Sequence, residues 1–294
     1  MKTMDLHMHS NFSDDAEMSP LELVLLGKEV GLTVMALTDH SRVTGVDEML
    51  KHGKEHGITI IPAVELDCVY KGLNIHVLGY GIDHQDLRYA KYHQDLIDQE
   101  KKAGQIRIDK TEAFFKIKFT PEELETIRAN SAVTGELLGS ILLQREDLLD
   151  HPDLVAYRKG GMRSDNPHVN IYWDFYSQGK PCYSELHFMS IEAAIDLINT
   201  TGGLAVIAHP GISFKHDLSL LDGLLDVGIE GVEVYSSYHS PEQVKYFYDF
   251  ALKNNLYMTL GSDFHGDHKP AIHLGIYEGD ELQLSKTKAF LLSQ

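Results

Sequence analysis

The chain has 294 residues, 43% of them hydrophobic, with 44 acidic against 26 basic side chains and a formal charge of −18. It can bury one large core, or a core plus a small appended domain. Its charge opposes tight binding to a long polyanion such as double-stranded nucleic acid unless basic residues are locally concentrated. Cys68 and Cys182 are too few and too far apart for a disulfide framework or a Cys-rich zinc site, and fit a reducing cytoplasm. No segment approaches the ~18 apolar residues of a membrane span, and the N terminus lacks an apolar signal core.

Residues 4–8 predict a short strand that runs into His7 and His9. Side chains two apart on a strand share a face, so these two can grip one ion. Ser19-Pro20 opens a helix through Val30, with Glu22 in its first turn and Gly31 after its end. Residues 33–38 form the next strand and stop at Asp39-His40; a helix follows over 46–56, closed by Gly57, and then a strand over 58–64 that stops at Glu65. The run 74–79 carries His76 near its start, the wrong end for a simple parallel strand. The tight Tyr70-Lys71-Gly72-Leu73 turn offers a second reading, a hairpin that returns His76 toward Glu65. Both remain open from the sequence.

From residue 83 to about 185 the pattern is charged and helix-favouring, with Tyr89, Tyr92, Leu96, Ile97, Phe114 and Ile117 at helical spacing. Compact domains do not carry structureless loops of that length. The segment therefore predicts a helical insertion domain, 84–185, within a discontinuous barrel domain of residues 1–83 and 186–294. Thr120-Pro121-Glu122-Glu123 reads as an N-cap, an N1 proline and a capping-box glutamate. The aromatic residues read as the insertion's own small core. A basic stretch from Arg158 to Arg163, followed by His168 and Lys180, is either a solvated face or a site for substrate phosphate.

Strand and helix alternation resumes with a helix over 190–200 and a strand over 204–208 ending at His209. A strand over 231–235 carries Glu233, and a helix over 241–254 leads to a strand over 257–261 that stops at Ser262-Asp263-Phe264-His265. Alternation with ligands at successive strand ends favours a barrel, because a barrel gathers every strand end around one mouth. The expected fold is α/β, a distorted seven-stranded (β/α)7 barrel. Clustered imidazole and carboxylate at those ends point to a site for divalent Mn, Fe or Zn.

Taken in order, Asp5-Leu6-His7-Met8-His9-Ser10, Asp14, Thr38-Asp39-His40, Glu65, His76, Ala208-His209-Pro210 and Gly261-Ser262-Asp263-Phe264-His265 resemble the motifs of the PHP (polymerase and histidinol phosphatase) superfamily of metal-dependent phosphoesterases. The insertion, Asn166-Pro167-His168 and Gly179-Lys180-Pro181 look like the branch of 3',5'-nucleotide bisphosphate phosphatases and 5'-to-3' oligoribonucleotide exonucleases. The resemblance implies a distorted PHP-type barrel and two or three divalent ions, with Mn foremost. His7, His9, Glu65 and Asp263 would hold the first ion. Glu65 would bridge to a second held with His76 and His209, and Asp14, His40 and His265 would hold the third. Asp15 is a rival for the place of Asp14.

The implied reaction is hydrolysis of a small phosphorylated substrate. It would release the 3' phosphate of a nucleoside 3',5'-bisphosphate or cleave short oligoribonucleotides, with a metal-bridging hydroxide as nucleophile. Asp39, Glu65 and His209 are the implied catalytic residues, with Asp39 and Glu233 also placed to orient a ligand imidazole. Ser10, Arg163, His168, Lys180 and His239 are the implied substrate contacts. His239 and Tyr235 are as readily ordinary residues after a strand. Asp165-Asn166 stands where the branch has Gly-Arg, and Asn11 and Phe12 occupy a loop that often carries Arg or Thr, so these departures bear on the substrate. The alternatives are another phosphatase of the superfamily such as one for histidinol phosphate, a C–N hydrolase with a similar centre, or a noncatalytic metal-stabilised module. A cytoplasmic location and no membrane partner are expected.

Overall fold

The computed structural model describes residues 3–130, 132–277 and 284–293. In chain order its elements begin β1 (Met4–Asp5), α1 (Pro20–Glu29), β2 (Val34–Leu37), α2 (Val46–His56), β3 (Thr59–Tyr70) and β4 (Leu73–Tyr80). The helices α3 (Leu87–Phe115), α4 (Pro121–Arg128), α5 (Gly135–Gln144) and α6 (Pro167–Ile171) follow. The chain continues with β5 (Met189–Ser190), α7 (Ile191–Thr200), β6 (Leu204–Ile207), α8 (Pro210–Ser213) and α9 (Asp222–Asp226). It ends with β7 (Gly231–Ser236), α10 (Pro241–Lys253), β8 (Tyr257–Gly261) and α11 (Ser285–Leu291). Two compact units result, one of Met1–His93 with Phe188–Gln294 and one of Gln94–His187.

In the first unit seven strands run in the order β1-β2-β3-β4-β6-β7-β8, with β5 paired beside β3. Leu6 N–H donates to Leu260 O at 3.3 Å and brings β8 back to β1, which makes the sheet a nearly closed barrel. Strands β1 to β3 and β6 to β8 pair in parallel. Strand β4 is the distortion. It runs antiparallel to both β3 and β6, with Tyr70 opposite Leu73 and Asp67 opposite His76, so the hairpin reading of the Tyr70–Leu73 turn is the one the chain adopts. Strands β2, β6 and β7 are buried along their whole length, as parallel strands covered on both faces are.

Local chemistry sets the element ends. Ser19 Oγ accepts the Glu22 N–H while Glu22 accepts the Ser19 N–H, a reciprocal cap with Pro20 at the first helical position of α1. Helix α2 stops at Gly57, whose φ of 75° is a left-handed cap that glycine adopts without strain.

The second unit is helical. Phe115, Ile127, Leu138, Leu142, Leu154 and Ile171 are among its buried core, and α4 carries the Thr120/Glu123 reciprocal cap. Phe114 and Ile117 pack against this core. Tyr89 and Tyr92 instead belong to the barrel core, where Tyr89 Oη is 2.8 Å from Thr201 Oγ1 and Tyr92 Oη donates to Asp67 O at 2.7 Å. The helical spacing that suggested they belonged to the insertion was correct for the helix and silent about what its first turns pack on. No helix among the described residues is long and apolar enough to cross a membrane.

Candidate metal centre

The strand ends carry the site. Beyond β1, Met8 bridges Phe264 in parallel, His9 N–H donates to Phe264 O and Asp263 N–H to His7 O, both at 2.9 Å. These bonds set His7 and His9 beside Asp263 and His265. A second parallel bridge joins His40 to Glu65. Gly261 must lack a side chain, because a Cβ there would overlap that of His7 and come within 2.9 Å of Glu233 Oε1. His209 follows β6 with φ 24° and ψ 60°, an uncommon conformation for a residue with a Cβ, and its N–H donates to Glu233 Oε2 at 2.6 Å.

Glu65, fully buried, is the hub. Its Oε1 lies 3.4 Å from His7 Nε2, 2.9 Å from His76 Nδ1 and 3.1 Å from His209 Nε2, and its Oε2 lies 3.2 Å from His9 Nε2 and 3.3 Å from His40 Nδ1. Asp263 Oδ1 is 3.1 Å from both His7 Nε2 and His9 Nε2. Asp15 Oδ2 is 3.1 Å from His265 Nε2 and 3.6 Å from His40 Nε2. Among the described residues four donor groups suited to a cation result: His7-His9-Glu65-Asp263, Glu65-His76-His209, His9-Asp15-His40-His265 and His40-Asp67-His76. Every expected ligand except Asp14 lies in one of them. Asp14 is exposed on the same loop, and the neighbouring Asp15 stands in the group instead.

The donors fit a divalent ion. His7 Nε2, His40 Nδ1, Glu65 Oε2 and His265 Nε2 are buried with no aligned hydrogen-bond partner and each lies against another member of a donor group, a cost that a cation bound by this mixed nitrogen and oxygen set removes. For His7, His9 and His265 the opposite ring nitrogen explains why Nε2 faces inward. His7 Nδ1 meets Glu233 Oε1 at 2.9 Å, and a carboxylate only accepts, so Nδ1 donates and the Nε2 lone pair turns to Glu65 and Asp263. Ser13 Oγ donates its one proton to Asp39 Oδ1 and therefore accepts from His9 Nδ1 at 3.2 Å. His265 Nδ1 is fixed by the carbonyl of Asp263 at 2.8 Å.

Charge is balanced within the cluster. Burial alone would raise Glu65, yet His76, His7 and His40 hold its carboxyl well below the usual range. Asp263 is lowered likewise against burial by His7 and His9. Burial alone would lower the histidines, but Glu233, Glu65 and Asp263 carry His7 well above its ordinary value, and Glu65 and Asp67 push His40 up to about 9. Burial raises Asp39, whose oxygens accept from Ser10 N–H at 2.7 Å, Ser10 Oγ at 2.8 Å and Ser13 Oγ.

Ser10, expected at the substrate, is fully buried and holds Asp39. His239 is 4% exposed, with Nδ1 on Val234 O and Nε2 accepting from Gly211 N–H, so both ring nitrogens are spent within the barrel wall. Tyr235 is buried too. Arg163, His168 and Lys180 belong to the helical unit. There Arg163 Nε and Nη2 lie 3.0 and 2.9 Å from Asp174 Oδ2, while His168 and Lys180 are exposed. Sequence reasoning missed Ser13, Asp67, Tyr238 and Lys269. The last two both donate to Asp263 Oδ2, at 2.6 and 2.8 Å. Asp67 carried a signal, since it lies two residues past Glu65 on one strand face.

Known proteins agree with this geometry. A solved amidohydrolase from Chromobacterium violaceum, with bound sulfate and no metal, has the same fold at a TM-score of 0.75 and 24% identity, over 99% of this chain and 96% of that one. A 5'-3' exoribonuclease of Haemophilus influenzae is 29% identical over 90% of each chain. A 3',5'-nucleoside bisphosphate phosphatase of Chromobacterium violaceum is 26% identical over 90% of this chain and 88% of its own. The PHP domain matches residues 5–194, a span that contains His7, His9, Asp15, His40, Glu65 and His76. With that match and a barrel mouth lined by the donors its chemistry needs, the chain belongs to the PHP domain family and is a metal-dependent phosphoric ester hydrolase.

Proposed function

We propose that this phosphoesterase acts on a small nucleotide, releasing the 3' phosphate of a nucleoside 3',5'-bisphosphate or cleaving short oligoribonucleotides, with two or three divalent ions of which Mn is foremost. The observation that carries the metal reading is Glu65, whose two oxygens lie within 3.4 Å of five imidazole nitrogens. The substrate class is supported by relatives named as an exoribonuclease and a bisphosphate phosphatase. Divalent ions bound there supply an acidified water and neutralise phosphoryl charge. His7, His9, Glu65 and Asp263 would hold the first, Glu65, His76 and His209 the second, and His9, Asp15, His40 and His265 the third.

The other residues act on these donors. Glu233 and Ser13 fix the ring orientations of His7 and His9, and Asp39 acts through Ser13. Tyr238 and Lys269 occupy Asp263 Oδ2, which leaves Oδ1 to face the histidines. Lys269 is 35% exposed and adds a positive charge beside a centre that must attract phosphate.

The test is turnover of adenosine 3',5'-bisphosphate and of a short oligoribonucleotide, with the products identified. Chelation should abolish both reactions, and Mn should restore them at least as well as Mg, which prefers oxygen donors. Full turnover in excess chelator by protein shown to hold no metal would end this reading.

A further inference from the structure

Asp67 lies two residues beyond Glu65 on β3 and directly opposite His76 on β4. Alternation along the strand turns it to the same face as Glu65. Its Oδ1 is 3.2 Å from His76 Nε2 and 3.7 Å from His40 Nδ1. Its Oδ2 accepts from Ser41 Oγ at 2.9 Å, and Ser41 Oγ accepts the Asp67 N–H at 3.1 Å, so the carboxylate is pinned from behind. The far nitrogens of the same two rings face different donor groups. His76 Nδ1 meets Glu65 in the group with His209, whereas His40 Nε2 meets Asp15 in the group with His9 and His265.

Where His76 Nδ1 is given to a cation shared with Glu65, the ring's one N–H lies on Nε2, and it faces Asp67, a carboxylate that can only accept. We propose that Asp67 is a positioning residue for His76, holding its Nε2 so that the ring is committed to bind through Nδ1 in the group with Glu65 and His209. This rests on the metal reading above. His40 is not held in this way, since its Nδ1 lies 3.7 Å from Asp67 Oδ1 and nearer, at 3.3 Å, to Glu65 Oε2. The rival role is that of a ligand, with Asp67, His40 Nδ1 and His76 Nε2 gripping an ion of their own.

The experiment uses full-length protein stripped of metal. Mn affinity and stoichiometry are measured by equilibrium dialysis for wild type, Asp67→Asn and Asp67→Ala, and histidine 15N shifts in the Zn-loaded proteins assign each ion to its ring nitrogens. Asp67→Ala should weaken the ion at His76 by about ten- to a hundredfold, the usual scale for removing an outer partner of a ligand. It should spare the ion held by His7 and Asp263. Asp67→Asn keeps an accepting oxygen without the charge and should fall between alanine and wild type. If the alanine variant does not fold, the isosteric asparagine decides. Unchanged affinities, equal weakening of every ion, or ligation through His76 Nε2 would overturn the proposal. Wild-type protein that binds no Mn would instead remove the metal reading itself.

Discussion

Glu65 concentrates the chemistry in one side chain, since each of its oxygens faces imidazoles from separate segments of the chain. Glu65→Gln keeps the shape and removes the charge. Steady-state kinetics should show kcat reduced on the order of a hundredfold, the scale of losing one electrostatic group in a reacting site, with KM little changed. A loss confined to KM would contradict the bridging role. At this scale much of the centre could be read in advance. His7 with His9, and Asp263 with His265, follow the two-residue repeat of an extended chain. The choice between Asp14 and Asp15 could not be read, because residues 11–15 form an irregular loop in which periodicity says nothing about direction. Ser13, Tyr238 and Lys269 also lie off regular elements, and only the folded chain brings them to His9 and Asp263.

Among the elements, the junction of β1 with β8 is held by Asp5, which is fully buried and raised above its ordinary value by burial. It accepts from Ser262 Oγ at 2.6 Å, Ser262 N–H at 3.0 Å, Gly275 N–H at 2.7 Å and His7 N–H at 3.2 Å. Asp5→Ala leaves those donors buried without their acceptor, and should cost about 3 kcal/mol of folding stability. Denaturant melts of the metal-free protein measure this, and a loss below about 0.5 kcal/mol, the range of an ordinary surface change, would contradict it. Helix ends were legible because caps act locally, as Ser19, Thr120 and Gly57 show. The direction of β4 was not, since pairing with β3 or β6 is decided by tertiary contacts and a short apolar run reads the same either way.

For the molecule as a whole, a formal charge of −18 includes carboxylates gathered at one barrel mouth, so cations should stabilise the fold as well as serve the reaction. Mn at a hundred times its Kd adds about 2.7 kcal/mol per site. Imidazoles raised in the metal-free protein, among them His40 at about 9, hold protons that the ion must displace. The Mn-induced rise in Tm should therefore grow as pH increases from 6 toward about 9 and shrink in acid. Calorimetry with and without chelator checks this, and a shift independent of pH would argue against imidazole ligation. The sequence turns to helical periodicity after residue 83, whereas the first compact unit runs on to His93, so the joint between the units was not legible. Helix α3 runs unbroken through it, and one helical pattern serves both cores.

His7 and Asp263 stand at opposite ends of the barrel's strand order, and their contact closes it. During synthesis the early ligands leave the ribosome long before Asp263 and His265 exist. The first donor group lacks one of its four members until the last strand has been made and has docked on the first. Pairing across so long a stretch of chain is slow relative to local helix formation. A growing polypeptide thus carries the early histidines of a metal centre without a working one, and a phosphate ester meets the completed site only after the last strand has been made.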